Sequence, residues 1–348
     1  MLNIAIVGAG FFSQVSHIQN LSKFKVNLKC IADLKDGLRE QVAEKFNIKK
    51  TYKNHLDLLK YEKNIDGVVI VTNREHMPQI VCDFLNAKIP VLSEKPMCFN
   101  SKQAKKMYQI YSKNKTYYQI GYMRNFDLGV IKAKKTLNTL IRSRKYGSLK
   151  KVIVKAHDAN PYCNEIGYID PRKFKLIKSK KTKDWKTYPE WINKKLRKDY
   201  SDYVNRFCHD INLINNFFNE KPKILFSNIS ENLFSSTILK YKLFVLNLQT
   251  GITNFKERDE IFEFYFENAW LSLSLPHALN KKSPAQVILK IRDKEEKTIN
   301  YIEDWSWSFE NQMRVFLKNI PKKNNYLLSN IKEGLRDIEL IENIWKRF

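Results

Sequence analysis

A lysine held between a glutamate and a proline is the side chain best placed for proton transfer. Glu94-Lys95-Pro96 directly follows the short apolar run Val91–Ser93. Proline restricts the preceding residue to extended backbone conformations, and a strand that ends here would carry Lys95 to the edge of a sheet. A lysine beside a carbonyl or an alcohol can donate or accept the reacting proton. We therefore predict a catalytic Lys95, against the alternative of a surface lysine before a turn proline.

A second group of residues has the spacing of a phosphate-binding turn. Gly8-Ala9-Gly10-Phe11-Phe12-Ser13 follows the β-prone run Leu2–Val7 and opens a predicted helix over about 12–23. The first glycine permits a tight turn, and the second lets the backbone approach a pyrophosphate at the helix N-terminus. Ser13 takes the place of the third glycine in a G-x-G-x-x-G motif and is small enough for that position. We predict that Gly8, Gly10, Phe11 and Phe12 contact a dinucleotide. The alternative is a pair of ordinary turn glycines.

The ends of the next strands supply further candidates for a dinucleotide site. Asp33 ends the second predicted strand, where a carboxylate accepts hydrogen bonds from the adenosine ribose. Such an acid repels a 2′-phosphate, so NAD is favoured over NADP, although Lys35 keeps NADP open. Thr72 and Asn73 end the buried run DGVVIVT, and His76 begins the next helix. Helix capping at Thr72 and Asn73, and a structural His76, are the alternatives.

The order of these motifs resembles the glucose–fructose oxidoreductase/inositol dehydrogenase/MocA family. The resemblance rests on Gly8-Ala9-Gly10, Asp33, Thr72-Asn73-x-x-His76, Glu94-Lys95-Pro96 and Gly121-Tyr122-Met123-Arg124. It implies that Glu94 and Lys95 lie at the nicotinamide ribose and the substrate. It also implies NAD(P)-dependent hydride transfer to or from a secondary alcohol of a sugar, cyclitol or nucleotide sugar. A homodimer or homotetramer is expected from the resemblance alone.

The family usually carries an Asp-x-x-x-His motif on a helix of its second domain. Here the corresponding residues are Asn205 and His209, which share one helix face at i, i+4 spacing. The resemblance implies that His209 takes the hydroxyl proton, and that the Asn205 amide replaces the orienting carboxylate. We predict a catalytic His209 and a substrate-binding Asn205. Arg124 is predicted to contact an anionic part of the substrate or cofactor, with an interdomain salt bridge as its alternative.

Two domains are needed to position these residues. Residues 1–122 alternate strand and helix signals, which predicts a doubly wound parallel Rossmann sheet that binds NAD(P). Residues 123–348 predict an open, mostly antiparallel sheet with helices on one face, a substrate-binding and oligomerisation domain. We expect an α/β first domain and an α+β second domain, with the ligand in the cleft between them. The second domain is predicted to begin with a strand at 150–156. Later strands near 221–229, 240–249, 259–266, 269–275, 284–291 and 297–302 are spaced like an antiparallel meander.

Composition excludes several other classes of protein. The net charge of +26 is spread along the chain, and no basic helix or zinc pattern supports nucleic-acid binding. The five cysteines lack C-x-x-C spacing, which predicts free thiols and no metal site. With no apolar run of about 18 residues and no signal peptide, we expect a cytoplasmic protein without a membrane segment.

One stretch departs from this even charge distribution. Residues 171–200 contain twelve lysines and arginines against three acids. They include Lys173, Lys175, Lys178, Lys180, Lys181, Lys183 and Lys186, with Trp185, Tyr188 and Trp191 among them. Such a segment can cover the site and favour an anionic substrate; a solvated or oligomer-facing loop is the alternative. Two other functions stay open: an NAD-dependent glycoside hydrolase of this fold, and a non-catalytic nucleotide-binding regulator.

Overall fold

The chain folds around two sheets. The computed structural model describes residues 1–159, 165–176, 185–322 and 328–348. The described chain groups into two compact units, each built from separate segments. The first comprises Met1–Tyr122, Asn164–Ile192 and Gln312–Ile338, and the second comprises Met123–Cys163, Asn193–Asn311 and Glu339–Phe348.

The first unit contains a six-stranded parallel sheet in the order β3-β2-β1-β4-β5-β6. Its strands are β1 (Leu2–Val7), β2 (Val26–Ala32), β3 (Lys50–Tyr52), β4 (Gly67–Ile70), β5 (Val91–Ser93) and β6 (Tyr118–Ile120). The order reverses between β1 and β4, and ligands of doubly wound sheets bind in the crevice at such a reversal. The predicted Rossmann sheet is confirmed.

Helices join these strands and supply the apolar side chains that cover the sheet. They are α1 (Ser13–Ile18, a π-helical turn, continued by Gln19–Leu21), α2 (Asp36–Lys45), α3 (His55–Tyr61), α4 (Met77–Asn86) and α5 (Ser101–Asn114). Ile4 and Ile6 of β1 are fully buried in a cluster with Ile18, Leu38 and Phe316. β3 and α3 were not predicted from the sequence. Three residues of strand give little pattern, and the start of the short α3 is marked only by Asn54, whose side chain accepts from the Asp57 amide.

The second unit contains an eight-stranded sheet in the order β14-β13-β12-β11-β7-β10-β9-β8. Its strands are β7 (Leu149–Asp158), β8 (Lys223–Ile229), β9 (Ser235–Lys240), β10 (Val245–Ile252), β11 (Asp259–Phe266), β12 (Ala269–Ser274), β13 (Gln286–Arg292) and β14 (Glu296–Tyr301). The remaining helices are α6 (Leu128–Ser143), α7 (Arg197–Phe217), α8 (Ser308–Asn319) and α9 (Ile331–Arg347).

The mostly antiparallel sheet is confirmed, but the simple meander is wrong. β10 pairs with β7 in parallel, while its other neighbour β9 is antiparallel. β9 was missed because two of its three buried side chains, Ser235 and Thr237, are polar and weaken the apolar alternation. They instead bond across the sheet: Ser235 Oγ lies 2.7 Å from Thr250 Oγ1.

Three further expectations concern membrane helices, metal sites and cysteines. No described helix is long and apolar enough to cross a membrane. In the described ranges no cluster of three metal-binding side chains occurs. Cys30, Cys82, Cys98 and Cys208 are buried free thiols, and Cys163 lies outside the described residues.

Candidate functional site

The carboxyl ends of four parallel strands meet at one edge of the first sheet. Val7 pairs with Ala32 and with Ile70, and Ile70 pairs with Ser93. The residues that follow these strands therefore lie along the same edge, at the reversal of strand order. They are the predicted dinucleotide and catalytic residues Gly8, Gly10, Asp33, Thr72, Asn73, Glu94 and Lys95.

The glycine turn has the shape that a diphosphate requires. Gly8 has a φ of +103°, and a Cβ there would lie 2.0 Å from the Val71 carbonyl oxygen. Only glycine fits this position. At Gly10 the opposite holds, because a Cβ would meet no described heavy atom within 4 Å. Ser13 Oγ donates to the Gly8 carbonyl at 2.6 Å, so the third position of the motif also fixes the turn.

Asp33 bonds to the glycine turn itself. Its Oδ2 accepts from the Ala9 amide at 2.7 Å and its Oδ1 from the Lys35 amide at 2.8 Å. A carboxylate has about four lone-pair positions, so acceptor capacity remains for ribose hydroxyls. Lys35 Nζ donates to the Pro171 carbonyl at 2.6 Å. Arg39, a cation that the sequence analysis did not consider, bonds the Asp33 carbonyl at 2.7 Å.

The turn after β4 combines capping with one unsatisfied hydroxyl. The Asn73 carbonyl accepts from the amides of His76 and Met77, which starts α4. His76 is the N-cap residue of that helix. Thr72 Oγ1 is buried and has no hydrogen-bond partner among the described residues. Capping chemistry is therefore present here, together with a hydroxyl that a bound phosphate or ribose could satisfy.

Glu94 is fixed by a histidine that the sequence analysis missed. His17, 1% exposed in α1, places Nε2 at 2.8 Å from Glu94 Oε1, and the Lys95 amide donates to Glu94 Oε2 at 3.1 Å. Burial alone raises the pKa of Glu94. The hydrogen bond from His17 and the charges of His17 and Lys95 outweigh it, and the pKa lies below its ordinary value. Glu94 is therefore an acceptor at neutral pH.

Lys95 follows β5 and Glu94, in a cis peptide with Pro96. The side chain is partly buried. Gly121, in the Gly-Tyr-Met-Arg segment, lies against this backbone, since a Cβ there would be 2.8 Å from the Ser93 carbonyl oxygen and 3.1 Å from the Glu94 Cα. Glycine at position 121 thus allows β6 to approach the Glu94-Lys95 segment closely.

His209 lies on α7 in the second unit and is 8% exposed. Asn205 lies one turn before it and is partly buried. Asn212, three residues after His209, accepts from Asn125 Nδ2 at 2.7 Å. Because Lys95 and His209 belong to different units, their convergence on one substrate atom stays a prediction.

Arg124 is buried against a glutamate of its own unit. Arg124 Nη2 donates to Glu260 Oε2 at 2.7 Å, with the two side chains 2% and 0% exposed. The alternative of an interdomain salt bridge is wrong for this pair, which lies within the second unit. Arg258 Nε is 3.5 Å from the same oxygen and 3.4 Å from Asp158 Oδ1. Substrate binding by Arg124 stays a prediction.

Asp210 completes this buried charge cluster beside His209. It is fully buried, and its carboxylate oxygens have no hydrogen-bond partner among the described residues. Burial and the neighbouring Glu260 raise the pKa of Asp210 well above its ordinary value, against the lowering effect of Arg258 and Arg124. Sequence reasoning missed Glu260 and Arg258, because nothing local marks a charge in a strand as buried.

Residues 2–122 match the profile of the GFO_IDH_MocA family, described as "Oxidoreductase family, NAD-binding Rossmann fold". Every predicted dinucleotide residue falls in that range. Over residues 2–122, the chain therefore matches the NAD-binding domain of the glucose–fructose oxidoreductase/inositol dehydrogenase/MocA family. The resemblance inferred from the motifs is confirmed, and so is a nicotinamide dinucleotide, NAD(P), as the cofactor class.

Curated relatives match the first part of the chain. Inositol 2-dehydrogenase of Salmonella typhimurium is 27% identical over 142 residues, 40% of this chain and 42% of the relative. The rhizopine catabolism protein MocA of Rhizobium meliloti is 30% identical over 162 residues, 46% of this chain and 49% of the relative. The matches thus span less than half the length of these relatives.

Solved structures match the fold over nearly the whole chain. A dehydrogenase from Clostridium difficile gives a TM-score of 0.72 at 16% identity, covering 100% of this chain and 99% of that one. A 3-ketoreductase from Actinomadura kijaniata, crystallised with NADP and TDP-benzene, gives 0.74 at 11% identity, covering 99% and 97%. At these identities the likeness shows the fold alone.

Proposed function

We propose that the chain is an NAD(P)-dependent oxidoreductase acting on a secondary alcohol of a sugar, cyclitol or nucleotide sugar. The observation that carries the proposal is the shared edge of the first sheet. Gly10, with open space at its Cβ position, follows β1, and the Glu94-Lys95 segment follows β5 of the same sheet. A site that cradles a diphosphate there presents a proton-transferring lysine on the same sheet. The curated relatives named as inositol dehydrogenases favour a polyol substrate.

Each predicted residue takes one role in this proposal. The backbone of Gly8 and Gly10, with Phe11 and Phe12, holds the pyrophosphate; Asp33 binds the adenosine ribose; Thr72, Asn73, His76 and Glu94 line the nicotinamide side. The bound dinucleotide supplies the hydride acceptor or donor. Lys95 and His209 hold and move the substrate hydroxyl proton, and Asn205 and Arg124 bind the substrate. We assign dinucleotide binding to residues 1–122, which form one compact unit with Asn164–Ile192 and Gln312–Ile338, and substrate binding and oligomerisation to the rest of residues 123–348.

We propose NAD as the preferred dinucleotide. A carboxylate at Asp33 repels a 2′-phosphate, and the nearby cations are engaged: Lys35 by the Pro171 carbonyl, and Arg39 by the Asp33 carbonyl and by the carboxylates of Asp36 and Glu40. One curated relative is named scyllo-inositol 2-dehydrogenase (NAD(+)).

The remaining proposals concern the substrate charge, the assembly and the compartment. An anionic substrate is proposed from the basic stretch, whose exposed described lysines include Lys173, Lys175 and Lys186. Lys178, Lys180, Lys181 and Lys183 lie outside the described residues. A homodimer or homotetramer is proposed, with large apolar side chains such as Leu225 and Phe226 exposed on β8. The buried free thiols support a reducing, cytoplasmic location.

Absorbance at 340 nm tests the function directly. The purified protein is mixed with NAD or NADP and a panel of inositols, sugars, sugar phosphates and nucleotide sugars. We expect net reduction with at least one polyol, loss of that activity in Lys95→Ala, and no loss in Lys102→Ala, which removes an exposed lysine of α5. Glycoside cleavage without net reduction would instead identify a hydrolase, and NADH binding without any turnover would identify a regulator.

A further inference from the structure

The chain returns to the dinucleotide edge after β7. Residues 164–192 group with the first unit, although they follow a strand of the second. The described part that we call the strap, residues 165–176, lies against two loops of the dinucleotide site. These loops are the glycine turn and the β2–α2 turn, which begins with Asp33.

The strap is first anchored on the glycine turn. Gln14 Nε2 donates to the Ile169 carbonyl at 2.9 Å, and the Ile169 amide donates back to Gln14 Oε1 at 2.8 Å. The same Nε2 donates to the Ala9 carbonyl at 2.9 Å, so one buried amide ties the strap to the turn. The Tyr168 ring meets the Phe11 ring edge-on, with centroids 4.7 Å apart.

The second anchor lies on the far side of Asp33. Lys35 Nζ donates to the Pro171 carbonyl at 2.6 Å. The Phe174 ring lies against Gly37, where a Cβ would be 3.0 Å from the ring. Ile169 and Phe174 also pack on the apolar cluster that contains Ile6 and Leu38. The strap therefore has both polar and apolar contacts at each end of the predicted adenosine position.

We propose that residues 165–176 are part of the dinucleotide site and close its adenosine side, so that a bound dinucleotide leaves only after the strap detaches. In a Rossmann site the adenosine ribose lies between the glycine turn and the acid that ends the second strand. Here those two places are Phe11 and Asp33. The anchors at Gln14 and Gly37 flank them, and the strap runs from one to the other. This inference rests on the proposed dinucleotide function.

The consequence is a dinucleotide that is released slowly. Release requires the breaking of the Gln14–Ile169 pair and of the Lys35–Pro171 bond, and the separation of two ring contacts. Local opening of such a segment precedes ligand escape and limits its rate. A bound dinucleotide would in turn stabilise the attached position of the strap, because binding and attachment are thermodynamically linked.

Stopped-flow release of NADH tests the proposal on the full-length protein. The protein is loaded with NADH, chased with excess NAD, and followed by NADH fluorescence. The double variant Tyr168→Ala/Phe174→Ala loses a ring contact at each anchor and should release NADH at least tenfold faster. Ile166→Ala, which removes a side chain 91% exposed on the same strap, should release it at the unmodified rate.

Two results would overturn the inference. One is an unchanged release rate in the double variant; the other is faster association with unchanged release, which would show that the strap only obstructs entry. If the double variant does not fold, hydrogen exchange of the unmodified protein decides: NADH should slow exchange of the Ile169 amide, and no slowing refutes the proposal. Failure of the unmodified protein to bind NADH at all would refute the dinucleotide function itself.

Discussion

The two substitutions Gly8→Ala and Gly10→Ala separate the role of the glycine turn in folding from its role in binding a dinucleotide. At Gly8 the new Cβ would lie 2.0 Å from the Val71 carbonyl oxygen, at a φ of +103°. Val71 cannot retreat easily, because its amide donates to the Val7 carbonyl at 2.8 Å. A strained backbone costs about 1–3 kcal/mol and overpacking about 1–3 kcal/mol more. The free energy of unfolding should therefore fall by about 2–6 kcal/mol in Gly8→Ala.

Gly10→Ala should behave in the opposite way. No heavy atom of the described chain lies within 4 Å of its Cβ position, and its φ is outside the left-handed region. Such a substitution leaves stability unchanged or raises it by about 0.4–1 kcal/mol. The methyl group would, however, occupy the space through which a pyrophosphate approaches the backbone. Loss of one hydrogen bond to a charged group, about 1.5–3 kcal/mol, corresponds to an NADH Kd raised roughly 10- to 150-fold.

Two measurements on each variant complete the test. Urea unfolding followed by tryptophan fluorescence gives the free energy of unfolding, and NADH fluorescence titration gives the Kd. The expected pattern is an unstable Gly8→Ala and a stable Gly10→Ala that binds NADH weakly. A stable Gly10→Ala with an unmodified Kd would refute our interpretation of the turn as a phosphate cradle. A Gly8→Ala as stable as the parent would refute the steric argument.

Three other substitutions test the chemistry and the buried charges. Lys95→Ala should lower kcat about 100-fold or more while leaving the NADH Kd within about twofold, measured by steady-state rates and titration; a matched loss of NADH affinity would contradict a proton-transfer role. Asn205→Asp should move the acid limb of the pH–rate profile for alcohol oxidation to higher pH, because a carboxylate favours the imidazolium of His209; an unmoved limb would argue against contact between them. Asp210→Asn should flatten the dependence of stability on pH. The raised pKa of Asp210 means that the folded state holds its proton longer, so stability falls as pH rises above the ordinary aspartate value of 3.8. If the urea midpoint changed with pH in the same way in the parent and in Asp210→Asn, this reasoning would be wrong.

Apart from the three-residue β3, the first sheet was predictable because its signals are local. A glycine turn, a strand-ending acid and Glu94-Lys95-Pro96 each specify geometry within a few residues, and the parallel pairing then aligns them at one edge. The strap was not predictable in this way. Gln14 and Ile169 are 155 positions apart, and the basic composition after residue 171 indicated a segment that can cover the site but not its bonds to the glycine turn.

The charge cluster of the second unit was hidden for a similar reason. Arg124 and Glu260 are separated by 136 positions and come from a helical turn and a strand. From the sequence, an isolated arginine is equally compatible with a surface cation, a substrate ligand and an ion-pair partner. Only the side-chain exposures of 2% and 0% decide that this one is buried and paired.

The first helix explains why the parts of the dinucleotide edge depend on one another. α1 buries polar residues where a Rossmann helix would ordinarily bury apolar ones, and buried polar groups destabilise a fold unless they are hydrogen-bonded. Each of three such residues bonds a different part of the site: Ser13 the Gly8 carbonyl, Gln14 the strap at Ile169, and His17 the carboxylate of Glu94. One polar helix face thus holds the glycine turn, the strap and the Glu94-Lys95 segment together. A change in that face should therefore alter dinucleotide release and proton transfer jointly, even though no residue of the face touches the reacting atoms in our proposal.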